Sequence, residues 1–132
     1  MTNRVANPIL RRLLRTPAGS RLGRSLMVLR YTGTVTGQPH ELVVQFARDG
    51  DTVWVLVARA DDKTWWHNLR RPADVELWLA GEHLTARARV VSGGTDAHVA
   101  ATGLAAYRNA FPRAEGTPSD VTLVRAEIKG PT

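Results

Sequence analysis

The chain has 132 residues, 43% of them hydrophobic, and no cysteine. That length buries one core without a staple, and the missing thiols exclude disulfides, thiolate metal sites and cysteine nucleophiles. The formal net charge is +6, and seven arginines within residues 1–30, unaccompanied by any acid, leave Tyr31 to Thr132 at −1.

No run approaches the ~18 apolar residues of a membrane span, and the N-terminus lacks the uninterrupted apolar stretch of a secretory leader. A cytoplasmic, single-domain protein over 1–132 is expected. The arginine-rich start suits a solvated helix face, an anionic cofactor tail or a membrane surface. Nucleic acid is not expected, because no aromatic residue interleaves those arginines.

Asn7-Pro8 reads as a cap followed by proline at the first helical position. Ile9, Leu10, Leu13 and Leu14 then form an apolar stripe, so 1–24 is expected as a basic amphipathic helical segment, with Pro17 and Gly19 ending the helix. Leu26 to Tyr31 is a short apolar run consistent with a buried strand. Strands over Glu41–Arg48 and Thr52–Arg59 are joined by the hairpin signal Asp49-Gly50. In the second, Val53, Val55 and Val57 alternate with Trp54, Leu56 and Ala58, so neither face is polar. Such a strand belongs in a barrel wall with helices packed outside.

Asp62 is expected to cap a helix from Lys63 to Arg70, closed by Pro72. Asp74–Leu79 and His83–Val91 form a second hairpin around Ala80-Gly81-Glu82. Gly93-Gly94 breaks the chain, and Thr95 or Asp96 caps a helix to about Ala110, whose stripe holds Val99, Leu104, Tyr107 and Phe111. A last strand spans Asp120–Ile128. Six mostly antiparallel strands with peripheral helices give an α+β barrel.

The common catalytic signatures are missing: no phosphate loop, no Gly-x-Gly-x-x-Gly, no His-Glu-x-x-His and no Gly-x-Ser-x-Gly. The four histidines fall in four elements without ligand spacing, so no metal site is expected. The acids sit at turns and caps rather than in pairs. An enzyme of this composition takes its chemistry from a cofactor.

Several motifs stand in a telling order. Thr32-Gly33-x-x-Thr36-Gly37-x-Pro39-His40-Glu41 is followed by Phe46-x-x-Asp49-Gly50 and Lys63-Thr64-Trp65-Trp66-x-Asn68-Leu69, then by Val75-x-Leu77-x-Leu79-x-Gly81 and Ala86-x-Ala88-x-Val90-Val91. With the Asn7-Pro8 helix, this series resembles the deazaflavin (coenzyme F420)-dependent nitroreductase family, within the split β-barrel superfamily of flavin and deazaflavin oxidoreductases. The resemblance implies a split barrel that uses the reduced deazaflavin to deliver hydride to a nitroaromatic, quinone or activated alkene.

It further implies that the turn holding Gly33, Thr34, Thr36, Gly37 and Gln38 approaches the cofactor's phosphate-bearing tail. The strand Leu42 to Phe46, Val44 and Phe46 above all, and the segment Ala58-Arg59-Ala60 would line the deazaflavin ring. Lys63 would stand near the tail, and Trp65, Trp66 and Asn68 would anchor the segment beside it. Tyr31, Tyr107 or water would supply a proton. Core packing is the competing reading for the two tryptophans and for Tyr107, and a backbone partner for Asn68. A pairing into homodimers and a peripheral membrane contact through the first helix are left open.

One departure stands out: Thr34, Val35 and Gln38 occupy positions that are usually basic in the family. Hydrogen bonds to charged groups are worth ~1.5–3 kcal/mol each, so losing two weakens tail binding about a hundredfold or more. FMN, a non-enzymatic ligand-binding role, or a barrel repurposed for another reaction therefore stand as alternatives.

Overall fold

The computed structural model describes residues 25–132, so the expected N-terminal helix and its membrane contact lie outside the described residues. Seven strands make one antiparallel sheet: β1 (Leu26–Thr32), β2 (Pro39–Gln45), β3 (Ala47–Asp49), β4 (Thr52–Leu56), β5 (Ala73–Leu79), β6 (Glu82–Ser92) and β7 (Thr122–Pro131). A single α-helix among the described residues, α1 (Ala97–Ala110), lies between β6 and β7 in the chain.

The strand order β2-β1-β5-β6-β7-β4-β3 puts β2 and β3 at opposite edges. Only Phe46 separates them in the chain, so the sheet must curl until its edges meet. Phe46 is buried in the barrel core, and its amide donates to the Ser25 carbonyl at 3.0 Å. This corrects the expected single strand Glu41–Arg48. Before Phe46 the chain pairs with β1, and after it with β4. That change of partner raises the strand number from six to seven, and the architecture is an α+β split barrel.

Two cores result. Alternate strand residues fill the barrel, among them Met27, Leu29, Leu77, Ala86 and Val124. The other face packs under α1, where Trp54, Val91 and Leu123 meet Ala100, Leu104 and Tyr107. The two-sided reading of β4 holds, with Val53, Val55 and Val57 inward and Trp54 toward the helix. Asp96 caps α1 by accepting from the Val99 amide at 3.4 Å. The β5–β6 hairpin turns through Ala80 and Gly81 at φ of 49° and 78°, the two left-handed residues of a type I′ turn.

Two expectations around residue 60 are corrected. Strand β4 ends at Leu56 rather than Arg59, because Arg59 adopts φ 53° and ψ 51°. The helix expected over Lys63–Arg70 is instead a pair of 3-10 turns, Ala60–Asp62 and Trp65–Leu69. Asp62 belongs to the first turn, and Thr64 precedes the second. The second turn buries Trp65 and Leu69 against the barrel, and a short 3-10 piece suffices for those two anchors.

Candidate active site

Where β4 leaves the sheet, the Val57 amide still donates to the Thr122 carbonyl at 2.9 Å. Beyond it, the left-handed Arg59 swings the chain outward, and side chains from downstream fix the loop. Lys63 Nζ donates to the Ala58 carbonyl, and Trp66 Nε1 donates to the Ala60 carbonyl at 3.0 Å. Opposite stands the end of α1, where Tyr107 and Phe111 lie with ring centroids 4.9 Å apart. Arg108 Nε donates to the Ala114 carbonyl at 3.1 Å and so folds the following segment back. Between loop and helix end lies an open cleft of about 1210 Å³.

Its walls include Leu56, Val57, Ala58 and Phe111, with Gln45, Tyr107 and Thr122 among the polar residues. The Tyr107 hydroxyl donates to Gln45 Oε1 at 3.3 Å. Tyr107 is only 4% exposed, and burial pushes its pKa up, so the phenol stays a neutral donor at ordinary pH. The rim is charged: Arg59 pairs with Asp62 at 3.2 Å, and Asp61, Arg113 and Glu115 are exposed beside them. Asp120 is engaged in its own turn, accepting from the Thr117 amide at 2.8 Å.

The glycine-bracketed turn sits elsewhere, and none of Gly33 to Gln38 lines this cleft. The amides of Gly33, Gly37 and Gln38 are spent inside the turn, on the Gln38 carbonyl, the Gly33 carbonyl and Thr36 Oγ1. Asn68 Oδ1 accepts from the Thr34 amide at 2.9 Å and from its hydroxyl at 3.2 Å. Asn68 Nδ2 in turn donates to the Trp65 carbonyl at 2.8 Å, so Asn68 straps the turn to the second 3-10 segment. Val35, at the tip, is 95% exposed.

The structure therefore brings Ala58, Arg59 and Tyr107 together at one cleft and separates them from Tyr31. Tyr31 is buried in the barrel core, stacked on His40 at 5.5 Å and tilted against Trp65 at 6.3 Å. Gly33 makes room for that stack, since a Cβ there would stand 3.1 Å from His40 Nε2. Val44 and Phe46 pack on the barrel core, while Gln45 between them reaches the cleft. Trp65 is core, at 4% exposure. Trp66 is half-buried under the Arg70 guanidinium, 5.2 Å from the ring centroid. Lys63 serves the loop backbone. Sequence reasoning assigned the strand Leu42 to Phe46 to the ring without singling out Gln45, and did not place Phe111 at a site. The one available signal was a polar residue between Val44 and Phe46 in an otherwise apolar stretch.

A family model described as F420H(2)-dependent quinone reductase matches residues 3–127. Two relatives from Mycobacterium tuberculosis, strains H37Rv and CDC 1551, are named F420H(2)-dependent quinone reductases; each is 35% identical over 54 residues, 39% of this chain. The match spans 36% of the length of those curated relatives. Among solved structures, the heme storage protein HutZ of Vibrio cholerae aligns with a TM-score of 0.57 and 15% identity, over 83% of this chain and 85% of its own. General Stress Protein 26 of Bacillus anthracis aligns at 0.55 and 15%, over 88% of each chain. An F420-H2 dependent reductase aligns at 0.51 and 14%, over 79% of this chain and 95% of its own. At such identities these structures share the fold alone. The family match covers nearly the whole sequence, and the chain belongs to the F420H(2)-dependent quinone reductase family.

Proposed function

We propose that the protein is an oxidoreductase that uses reduced coenzyme F420 to reduce a quinone, and that the ring binds in the cleft between residues 57–62 and the end of α1. When bound, the reduced deazaflavin supplies the hydride. The chain supplies orientation, apolar contacts along the inner wall of an open cleft and a held proton.

The observation that carries this reading is the Tyr107–Gln45 hydrogen bond on the cleft wall. A neutral phenol that donates to Gln45 Oε1 fixes which way the carboxamide faces, and both amide N–H donors are left for a carbonyl on a flat ring. The apolar side chains Val57, Ala58 and Phe111 suit the faces of such a ring. The turn suits the anionic tail poorly, because the amides of Gly33, Thr34, Gly37 and Gln38 are engaged and it carries no cation. Arg59 and Arg113 are the cations of the cleft rim and would hold the tail instead. Of the two tyrosines, Tyr107 is the one at the cleft, so Tyr107 Oη or entering water holds the proton for the acceptor.

The test follows the oxidation of reduced F420 by menadione, with FMN as the competing cofactor. Catalysed oxidation that saturates in both reactants is expected, with FMN a poor substitute, and Gln45→Leu should raise the apparent constant for coenzyme or quinone at least tenfold. Oxidation no faster than without protein would overturn the proposal. Coenzyme binding without turnover would favour the ligand-binding role.

A further inference from the structure

On the outer face of β6 and β7, sharing no lining residue with the cleft, lies a groove of about 400 Å³. Its walls are Pro72, Arg87, Ala88, Arg89, Arg125 and Glu127. Arg89 and Arg125 stand directly opposite one another in the antiparallel register. Like charges in that position destabilise a sheet unless something lies between them.

The protein's own carboxylates fill that role only in part. Arg87 is held by Asp74 at 3.3 Å. Arg125 Nε forms an ion pair with Glu127 at 2.7 Å but no hydrogen bond, the nitrogen is shut off from solvent, and Arg125 is thus the half-compensated member of the pair. Among the described residues no carboxylate stands within ion-pair distance of the half-buried Arg89. Residues 1–24 contain neither Asp nor Glu and have none to offer. The Arg125 guanidinium is also steadied over the Trp54 ring, 5.5 Å from its centroid, so it is not free to swing into water.

We propose that this groove is a second site, one that binds a phosphoryl oxyanion between the guanidinium groups of Arg89 and Arg125. A guanidinium presents a planar fork that engages two oxygens at once. Two opposed forks ask for more oxygens than a carboxylate has, and a phosphoryl group supplies three. The ligand is free phosphate or the phosphate of a small organic monoester.

Titration of the full-length protein with inorganic phosphate, at ionic strength held constant with chloride, tests the site through NMR resonances of the arginine Nε–H groups and the Trp54 indole. Saturable shifts at Arg89, Arg125 and Trp54 are expected. Arg89→Gln should weaken binding at least tenfold, Arg89→Lys less so, and Lys129→Gln, outside the groove, not at all. Arg125→Gln provides a second variant should the first alter folding, which a melting curve reports. Phenyl phosphate is titrated in parallel: tighter binding than phosphate assigns the groove to an organic monoester, and weaker binding assigns it to the free ion. Shifts that follow ionic strength alone, or an Arg89→Gln protein that binds like the parent, would overturn the proposal. No coenzyme is present, so the result is independent of the function proposed for the cleft.

Discussion

A methyl group at Gly103 would stand 2.5 Å from two carbons of the Trp54 indole, a ring that is itself only 2% exposed and cannot tip away. Alanine is the better helix former by ~1 kcal/mol, but overpacking a fixed ring costs ~1–3 kcal/mol. Gly103→Ala should therefore destabilise the fold by about 1 kcal/mol, read as a lower urea midpoint with unchanged slope. The buried phenols give a second expectation at this scale. Burial raises the pKa of both Tyr31 and Tyr107 above their ordinary value. The folded state then keeps its phenolic protons at a pH where the unfolded chain, titrating near ~10, has begun to lose them. Their contribution is complete below that pH and is lost as the pH climbs through the raised folded values. Alkaline urea titrations should show stability falling from about pH 10 upward. Tyr107→Phe should flatten part of that fall; an unchanged pH profile would mean that the phenol titrates as in water.

The elements differ in how much of them can be read from sequence. The β5–β6 hairpin is legible because its turn chemistry is local. Its one flaw is Ala80, an alanine at φ 49°. Non-glycine residues in the left-handed region cost ~1–2 kcal/mol, and asparagine is among the residues that tolerate it best. Ala80→Asn should stabilise the protein by about 0.5–1 kcal/mol, checked by thermal and urea unfolding. The capped α1 and the two-faced β4 are legible for the same reason, since capping and alternation act within a few residues. Phe46 is not. Its neighbours have a continuous strand composition, and only the curling of the whole sheet makes it a corner. The segment around Trp65 is also illegible in its type. The apolar spacing of Trp65 and Leu69 reads as a helix, but the bonds that set its geometry come from the turn through Thr34 and from the loop through Ala60.

At the scale of the molecule, the covalent link across Phe46 decides where a ligand can sit. It carries Gln45, at the end of one sheet edge, to the C-terminal end of α1, where Tyr107 meets it. The same closure leaves the loop after β4 facing that helix end, and the cleft is what remains between them. Ala58 and Arg59, which the resemblance assigned to the ring, and Tyr107, which it assigned to the substrate, line one opening. Tyr31 and the Gly33–Gln38 turn, the latter assigned to the cofactor tail, do not line it. Sequence adjacency to a motif could not reveal that Tyr31 stacks on His40 and Trp65 in the barrel core.

The most direct measurement of the cleft's role is the dissociation constant of coenzyme F420 for Ala58→Leu beside the parent protein, followed by coenzyme fluorescence. Ala58 is exposed on the cleft wall and its carbonyl is held by Lys63, so the larger side chain intrudes on the ring's place in the cleft and leaves both cores intact. The account predicts that the variant melts like the parent and binds the coenzyme at least tenfold more weakly. Equal affinity in a protein that folds normally would place the ring outside the cleft and contradict the account.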